Sequence, residues 1–400
     1  TTTVAVPASF EGLALPLEAG RFFSGSGACT VCHQDMVDGE GRDVSVGEAW
    51  RSTMMANAAR DPYWSATVRA EVSLAPGLGG VIEDKCSTCH MPMARTTAAH
   101  EGGPGSVLDE GFVDPGHPLA ALAGDGVSCT LCHQVEATGL GDPGSFSGGY
   151  PVDGTTPAGE RLLYGPYDVG MGPATVMLAV SGFDPVLGPQ VQESALCATC
   201  HTLFTPTLDA AGEVVGEFAE QTPYLEWEAS AFARGVSCQD CHMPVAPGAV
   251  RLSASGGGPA REPFSEHRFV GGNAFMISVL RSAGPDLEVT ASSAHFEATL
   301  EWIRKQLETS TAEVAITDLA AGDDVVAFAV GVATTTGHKF PTGFPSRRAW
   351  LHVTVTDGDG SVVFESGAPR ADGSIAGNDN DADRTAFEPH YSLVTEPGQV

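Results

Sequence analysis

Lysine is almost missing from this chain. It occurs only at positions 85, 305 and 339, and all basic residues together number 20 against 50 acids, a net charge of −30. So few cations against so many acids exclude nucleic acid as a natural partner. Long apolar runs are missing too: no stretch approaches the roughly 18–20 residues that a membrane-crossing helix needs. No charged-then-apolar leader is present, and TTTVAVPA reads as a mature N-terminus left after removal of an export signal. The acidic balance suits an exported surface, in the periplasm or outside the cell, kept soluble by its charge or screened by a saline medium.

No cysteine stands outside a motif. All ten fall into five copies of Cys-x-x-Cys-His: Cys29/Cys32/His33, Cys86/Cys89/His90, Cys129/Cys132/His133, Cys197/Cys200/His201 and Cys238/Cys241/His242. At these residue frequencies about one such match in a hundred chains arises by chance. Three ordinary uses of paired cysteines fail on the histidine. A disulfide framework gives no reason for it. Structural zinc needs partner pairs at finger spacing, which are absent. A thioredoxin-like centre needs one pair in a βαβ context, not five. What remains is covalent c-type haem: two thioether bonds anchor each porphyrin, and the following histidine supplies an imidazole to its iron.

The anchors lie 57, 43, 68 and 41 residues apart, and the segments between them are rich in glycine and proline. Short helices are predicted over 46–60, 222–235 and 292–307, the last with Phe296, Leu300, Ile303 and Leu307 on one face. From residue 311 the pattern turns β-branched and partly alternating, with DGDGS (357–361) as a hairpin turn. The expected architecture is a mostly irregular, short-helix multihaem domain over 1–310. A small β-sandwich-like domain is expected over 311–400, with the native chain continuing past Val400.

A low-potential electron-transfer haem takes a second imidazole. Of the seven histidines outside the anchors, five are assigned that role. His338 follows Gly337 and precedes a proline-stiffened loop, and His267 lies beside paired glycines. His295 opens the best helix, His117 precedes the third anchor, and His100 completes the set, with Met55 or Met54 as its replacement. His352 is read as a solvated or cross-strand residue and His390 as structural. Asp379, Asp381 and Asp383 alternate in a way that could hold Ca²⁺.

On its five anchors together with GDGVSCTLCHQ, LCATCHTLFTPTLD, EQTPYLEW, HRFVGGN and GHKFPTGFPSRRAWLHV, the chain resembles the multihaem c-type cytochromes of anaerobic and sediment bacteria. The last two stretches imply that His267 and His338 are distal ligands. The resemblance extends to cytochromes that polymerise into extracellular filaments, which implies head-to-tail self-association and exchange with other redox proteins or extracellular acceptors. The related nitrite reductases carry Cys-x-x-Cys-Lys at the catalytic haem, and no lysine follows a second cysteine here. The expected function is therefore electron transfer, in a filament or as a carrier. The alternative is an oxidoreductase with one five-coordinate haem acting on a small molecule.

Overall fold

The computed structural model describes residues 9–209, 213–254, 257–322, 325–345, 347–371 and 374–376. The chain divides into two compact units, one ending at Pro345 and the other beginning at Ser346.

In the first unit the helices are short, and each anchor begins, ends or forms one. Cys29 lies in Gly27–Thr30, the second anchor closes Gly79–His90, and the third spans Cys129–Cys132. Cys197 lies in Ser194–Ala198, and the fifth anchor is the helix Cys238–His242. Longer helices pack around them. Pro62–Leu74 starts where Asp61 accepts hydrogen bonds from the backbone of Tyr63 and Trp64 and Pro62 takes the first turn. Pro92–His100 again begins with proline. Ser293–Ser310 opens with Ser292 as its cap and buries Phe296 and Ile303.

The helix expected over 46–60 stops at Trp50. Beyond it the polar side chains compete for the backbone: Asn57 Nδ2 donates to the carbonyls of Arg51 and Thr53, and Thr53 Oγ1 accepts from the Ala56 amide. The segment 222–235 likewise splits into Pro223–Glu228 and a 3₁₀ turn, Ala231–Arg234, capped by Ser230.

Among the described residues, apolar packing is divided among five small clusters rather than gathered into one core. One joins Trp64, Val68, Met91, Val107 and Phe112. Another joins Ile277, Leu280, Phe296 and Ile303, with Met54 packed against it. Each fully buried side chain of this size contributes about 1.5–3 kcal/mol. All sheets among the described residues have two strands. In the longest, Ala312–Ala321 pairs antiparallel with Val326–Thr334, and nearly every residue of both strands is exposed. This hairpin lies within the first unit.

In the second unit Val353–Thr356 pairs with Val362–Ser366 across the DGDGS turn, where the Asp357 carboxylate accepts from the amides of Asp359 and Ser361. Gly367 follows with φ of 79°, and a Cβ there would stand 2.2 Å from the Leu351 carbonyl oxygen, so only glycine fits. His352 lies opposite Glu365, 2.9 Å from its carboxylate, as a cross-strand pair. Asp379, Asp381, Asp383 and His390 lie outside the described residues. No helix among the described residues is long and apolar enough to cross a membrane.

Candidate functional site

The anchor histidines share one hydrogen-bonding device. The ring Nδ1 atoms of His33, His133 and His242 lie 2.6 Å from the carbonyl oxygens of Leu252, Tyr164 and Val270, and that of His90 lies 3.0 Å from the Ala58 oxygen. A carbonyl only accepts, so Nδ1 carries the proton and Nε2 keeps its lone pair. Burial also holds all four imidazoles below their ordinary pKa, although the carbonyls oppose it. A neutral ring with its tautomer fixed by a backbone carbonyl is the form that binds a metal. His201 differs. Burial lowers it to about 4, with His242 and His338 adding to the effect. As a residue His201 is exposed, so protein groups crowd its ring without enclosing it.

Two anchor rings face a second imidazole. His133 and His267 have ring centroids 6.4 Å apart with planes 24° from parallel, and His242 and His338 have 6.3 Å and 18°. These gaps are too wide for direct stacking. An imidazole nitrogen sits about 2.0–2.1 Å from a metal it binds, so two rings on opposite sides of one metal have centroids roughly 6 Å apart. His338 Nδ1 donates to the Lys339 carbonyl at 2.9 Å, which leaves its Nε2 lone pair available like that of His242. Burial pushes His267 down to about 3, with His133 reinforcing the shift. The Ser265 carbonyl opposes it without completing a hydrogen bond, so the buried Nδ1 has no partner.

The anchors also touch one another. Cys29 interacts with Cys129, Cys89 with Cys200 and Cys197 with Cys238, while Cys132 lies within electrostatic reach of Cys197 and Cys200. All ten thiols are unbridged. The contacts run first to third, third to fourth, fourth to fifth, with the second joined to the fourth. Burial raises Cys86 to about 11 and Cys132 to about 12, so neither is a thiolate nucleophile.

The other sequence-assigned ligands are placed differently. His100 ends the helix Pro92–His100 with its ring 4.8 Å from that of Phe22, and Gly154 lies so close that a Cβ there would be 2.3 Å from the imidazole. His117 Nδ1 accepts from the Leu119 amide at 3.1 Å, which puts the proton on Nε2. His295 accepts from the Ser292 amide at 2.9 Å and directs Nε2 at the Glu48 carboxylate, so both nitrogens are engaged. Met54 packs into an apolar cluster, and the Met55 carbonyl accepts from Val127. Among the described residues, then, the structure brings only His267 and His338 to an anchor imidazole. It adds residues that were not assigned a role: Trp64 stacks on His90 with centroids 4.5 Å apart and planes 5° from parallel, and Asp125, within the GDGVSCTLCHQ stretch, is buried between the first and third anchors.

No family model matches the chain, and no curated protein does. Among solved structures, the crystal structure of a penta-heme cytochrome c552 from Thermochromatium tepidum is similar, with a TM-score of 0.50 and 20% identity over 86% of this chain and 74% of that one. The likeness is one of fold.

Proposed function

We propose that this chain is an exported electron-transfer protein that binds five c-type haems covalently at its five anchors and passes electrons along them. The observation that carries the reading is the pair of imidazole gaps, His133–His267 and His242–His338, each of the width that a metal bound on both faces requires, each beginning at an anchor histidine. Cys29, Cys32, Cys86, Cys89, Cys129, Cys132, Cys197, Cys200, Cys238 and Cys241 would hold the porphyrins, and His33, His90, His133, His201 and His242 the irons. When bound, each group supplies one reversible ferric–ferrous step.

The protein fixes the rest. The carbonyls of Leu252, Ala58, Tyr164 and Val270 orient four proximal rings and raise their basicity, which lowers the potential of whatever metal they bind. Contacts between anchors bring neighbouring groups within the short range over which electrons tunnel. The division of the apolar interior into small clusters supports the same reading, because flat apolar groups between them would complete the core. The fold of a penta-heme cytochrome agrees with it.

For assembly we propose a head-to-tail filament outside the cell. The hairpin of Ala312–Ala321 and Val326–Thr334, which exposes Val314, Ile316, Leu319, Val326 and Val332, supports it as a surface that a neighbouring copy would cover. A second reading rests on His33, His90 and His201, which no described imidazole faces at axial spacing: one of these positions would stay open, and the protein would reduce or oxidise a small molecule there. Mass analysis of the secreted protein tests the first claim, with five haem additions expected and none or one overturning it. Entirely low-spin ferric spectra support the conductor, whereas CO binding by the reduced protein selects the enzyme. Electron micrographs of the secreted material distinguish filaments from single particles.

A further inference from the structure

Asp125 is 1% exposed, yet it sits where two anchors meet. Its Oδ2 accepts from the Ser26 amide at 2.9 Å and its Oδ1 from the Ser26 hydroxyl at 2.7 Å, tying the start of the first anchor's helix to the loop that leads into the third. Cys29 and Cys129, which lie beside each other, both feel its charge. The other groups facing it are few. Arg60 attracts it and is itself held by the carbonyls of Gly124 and Glu288, with the Glu288 carboxylate in electrostatic reach. The Ser128 hydroxyl lies beside both Asp125 and Cys129, buried and without a well-formed hydrogen bond.

That orphaned hydroxyl is informative. An ionised carboxylate needs only donors, and Ser26 supplies two. A protonated carboxyl also needs an acceptor, and Ser128 Oγ is one with nothing else to accept from. The site is therefore furnished for both protonation states of Asp125. Burial raises its proton affinity, while the serines and Arg60 lower it.

We infer that Asp125 couples a proton to the electron held by the first and third haems. The inference rests on the haem reading of the anchors. When a one-electron donor reduces this pair, one iron goes from ferric to ferrous and the local charge falls by one. Asp125 answers by binding a proton from solvent: one O–H bond forms on a carboxylate oxygen, none breaks, and the hydroxyl so formed donates to Ser128 Oγ. The added proton offsets the added electron, so the pair is reduced more readily as pH falls.

The test is spectroelectrochemical titration of the holoprotein at a series of pH values, with the haem content of each variant measured alongside. In the wild type the midpoint of one component rises as pH falls. Asp125→Asn keeps the shape and removes the charge: that component shifts upward and loses its pH dependence, and Asp125→Glu restores it. A pH dependence unchanged in Asp125→Asn overturns the inference, even if stability drops. Two variants that keep the carboxylate test it where Asp125→Asn fails to load haem. Ser26→Ala removes a donor to the ionised form and moves the onset of pH dependence to higher pH. Ser128→Ala removes a second hydroxyl that favours the ionised form and likewise moves the onset to higher pH. An onset unmoved in both overturns the inference. Fewer than five haems in the wild type instead overturns the reading on which it stands.

Discussion

His338 stands across from His242 with ring centroids 6.3 Å apart and planes 18° from parallel. Each ring is pinned at Nδ1, His242 by the Val270 carbonyl and His338 by the Lys339 carbonyl, so that in the neutral form Nε2 is the nitrogen with the free lone pair. Nearly 100 residues separate the two in sequence, and neither ring touches the other. Two imidazoles held near-parallel and one metal's width apart have the spacing that the proposed axial ligation of one iron requires.

Replacing one end opens the site. His338→Ala is expected to convert one haem of the five from low-spin to high-spin and to create one CO-binding position in the reduced protein, with the other four unchanged. His267→Ala is expected to do the same at the third anchor. His267 is partly buried, so its loss also removes packing and costs about 1–2 kcal/mol. Electron paramagnetic resonance of the ferric protein reads the change, and an unaltered low-spin spectrum in His338→Ala removes this histidine from the ligand set.

The second anchor is braced by an indole instead. Trp64 lies flat on the His90 ring at 4.5 Å and is 8% exposed, in the cluster with Val68 and Met91. Trp64→Ala is expected to cost about 3–5 kcal/mol and Trp64→Phe, which keeps a stacking face, about 1–2 kcal/mol. Denaturant unfolding of the holoprotein measures both. If both variants lie within 0.5 kcal/mol of the wild type, to the order of accuracy of such series, the stack carries no structural weight.

What the sequence disclosed and what it withheld divide along physical lines. The anchors were legible because the chemistry dictates their spacing: two sulfurs and an imidazole must reach one group, and few other arrangements do so. His267 and His338 could be singled out from the glycines and prolines around them, which mark close backbone approach. Trp64 and Asp125 could not, since their roles depend on partners that only the fold brings near, His90 for one and Ser26 for the other. The extent of the helix after Val46 also escaped, because apolar spacing says nothing about Thr53 and Asn57 turning their side chains back onto the chain. For His295 a local signal was present. Ser292 three residues earlier is the spacing of a capping pair, and the structure uses it so.

His295 is accordingly predicted to hold a helix end. His295→Ala removes the reciprocal cap of Ser293–Ser310 and is expected to cost about 1 kcal/mol, with all five haems keeping their ferric spectra. Unfolding and absorption spectra on one sample decide the matter. Appearance of a high-spin haem in this variant would instead make His295 a ligand.

The same histidine gives the protein a pH-dependent contact. Its Nε2 meets the Glu48 carboxylate, and this hydrogen bond holds Glu48 below the usual carboxylate range, with partial burial opposing. A carboxylate whose pKa is lowered by folding stabilises the native state at pH values above its unfolded pKa, and that contribution disappears as pH falls through the lowered value. Half-exposed pairs of this kind contribute up to about 1 kcal/mol. Glu48→Gln should therefore unfold slightly more easily than the wild type near neutral pH, and the gap should close as pH falls below the ordinary glutamate value of 4.5. High salt should narrow it as well, because the pair is open to solvent. A difference that persists undiminished in acid would assign the loss to packing of the glutamate stem rather than to its charge.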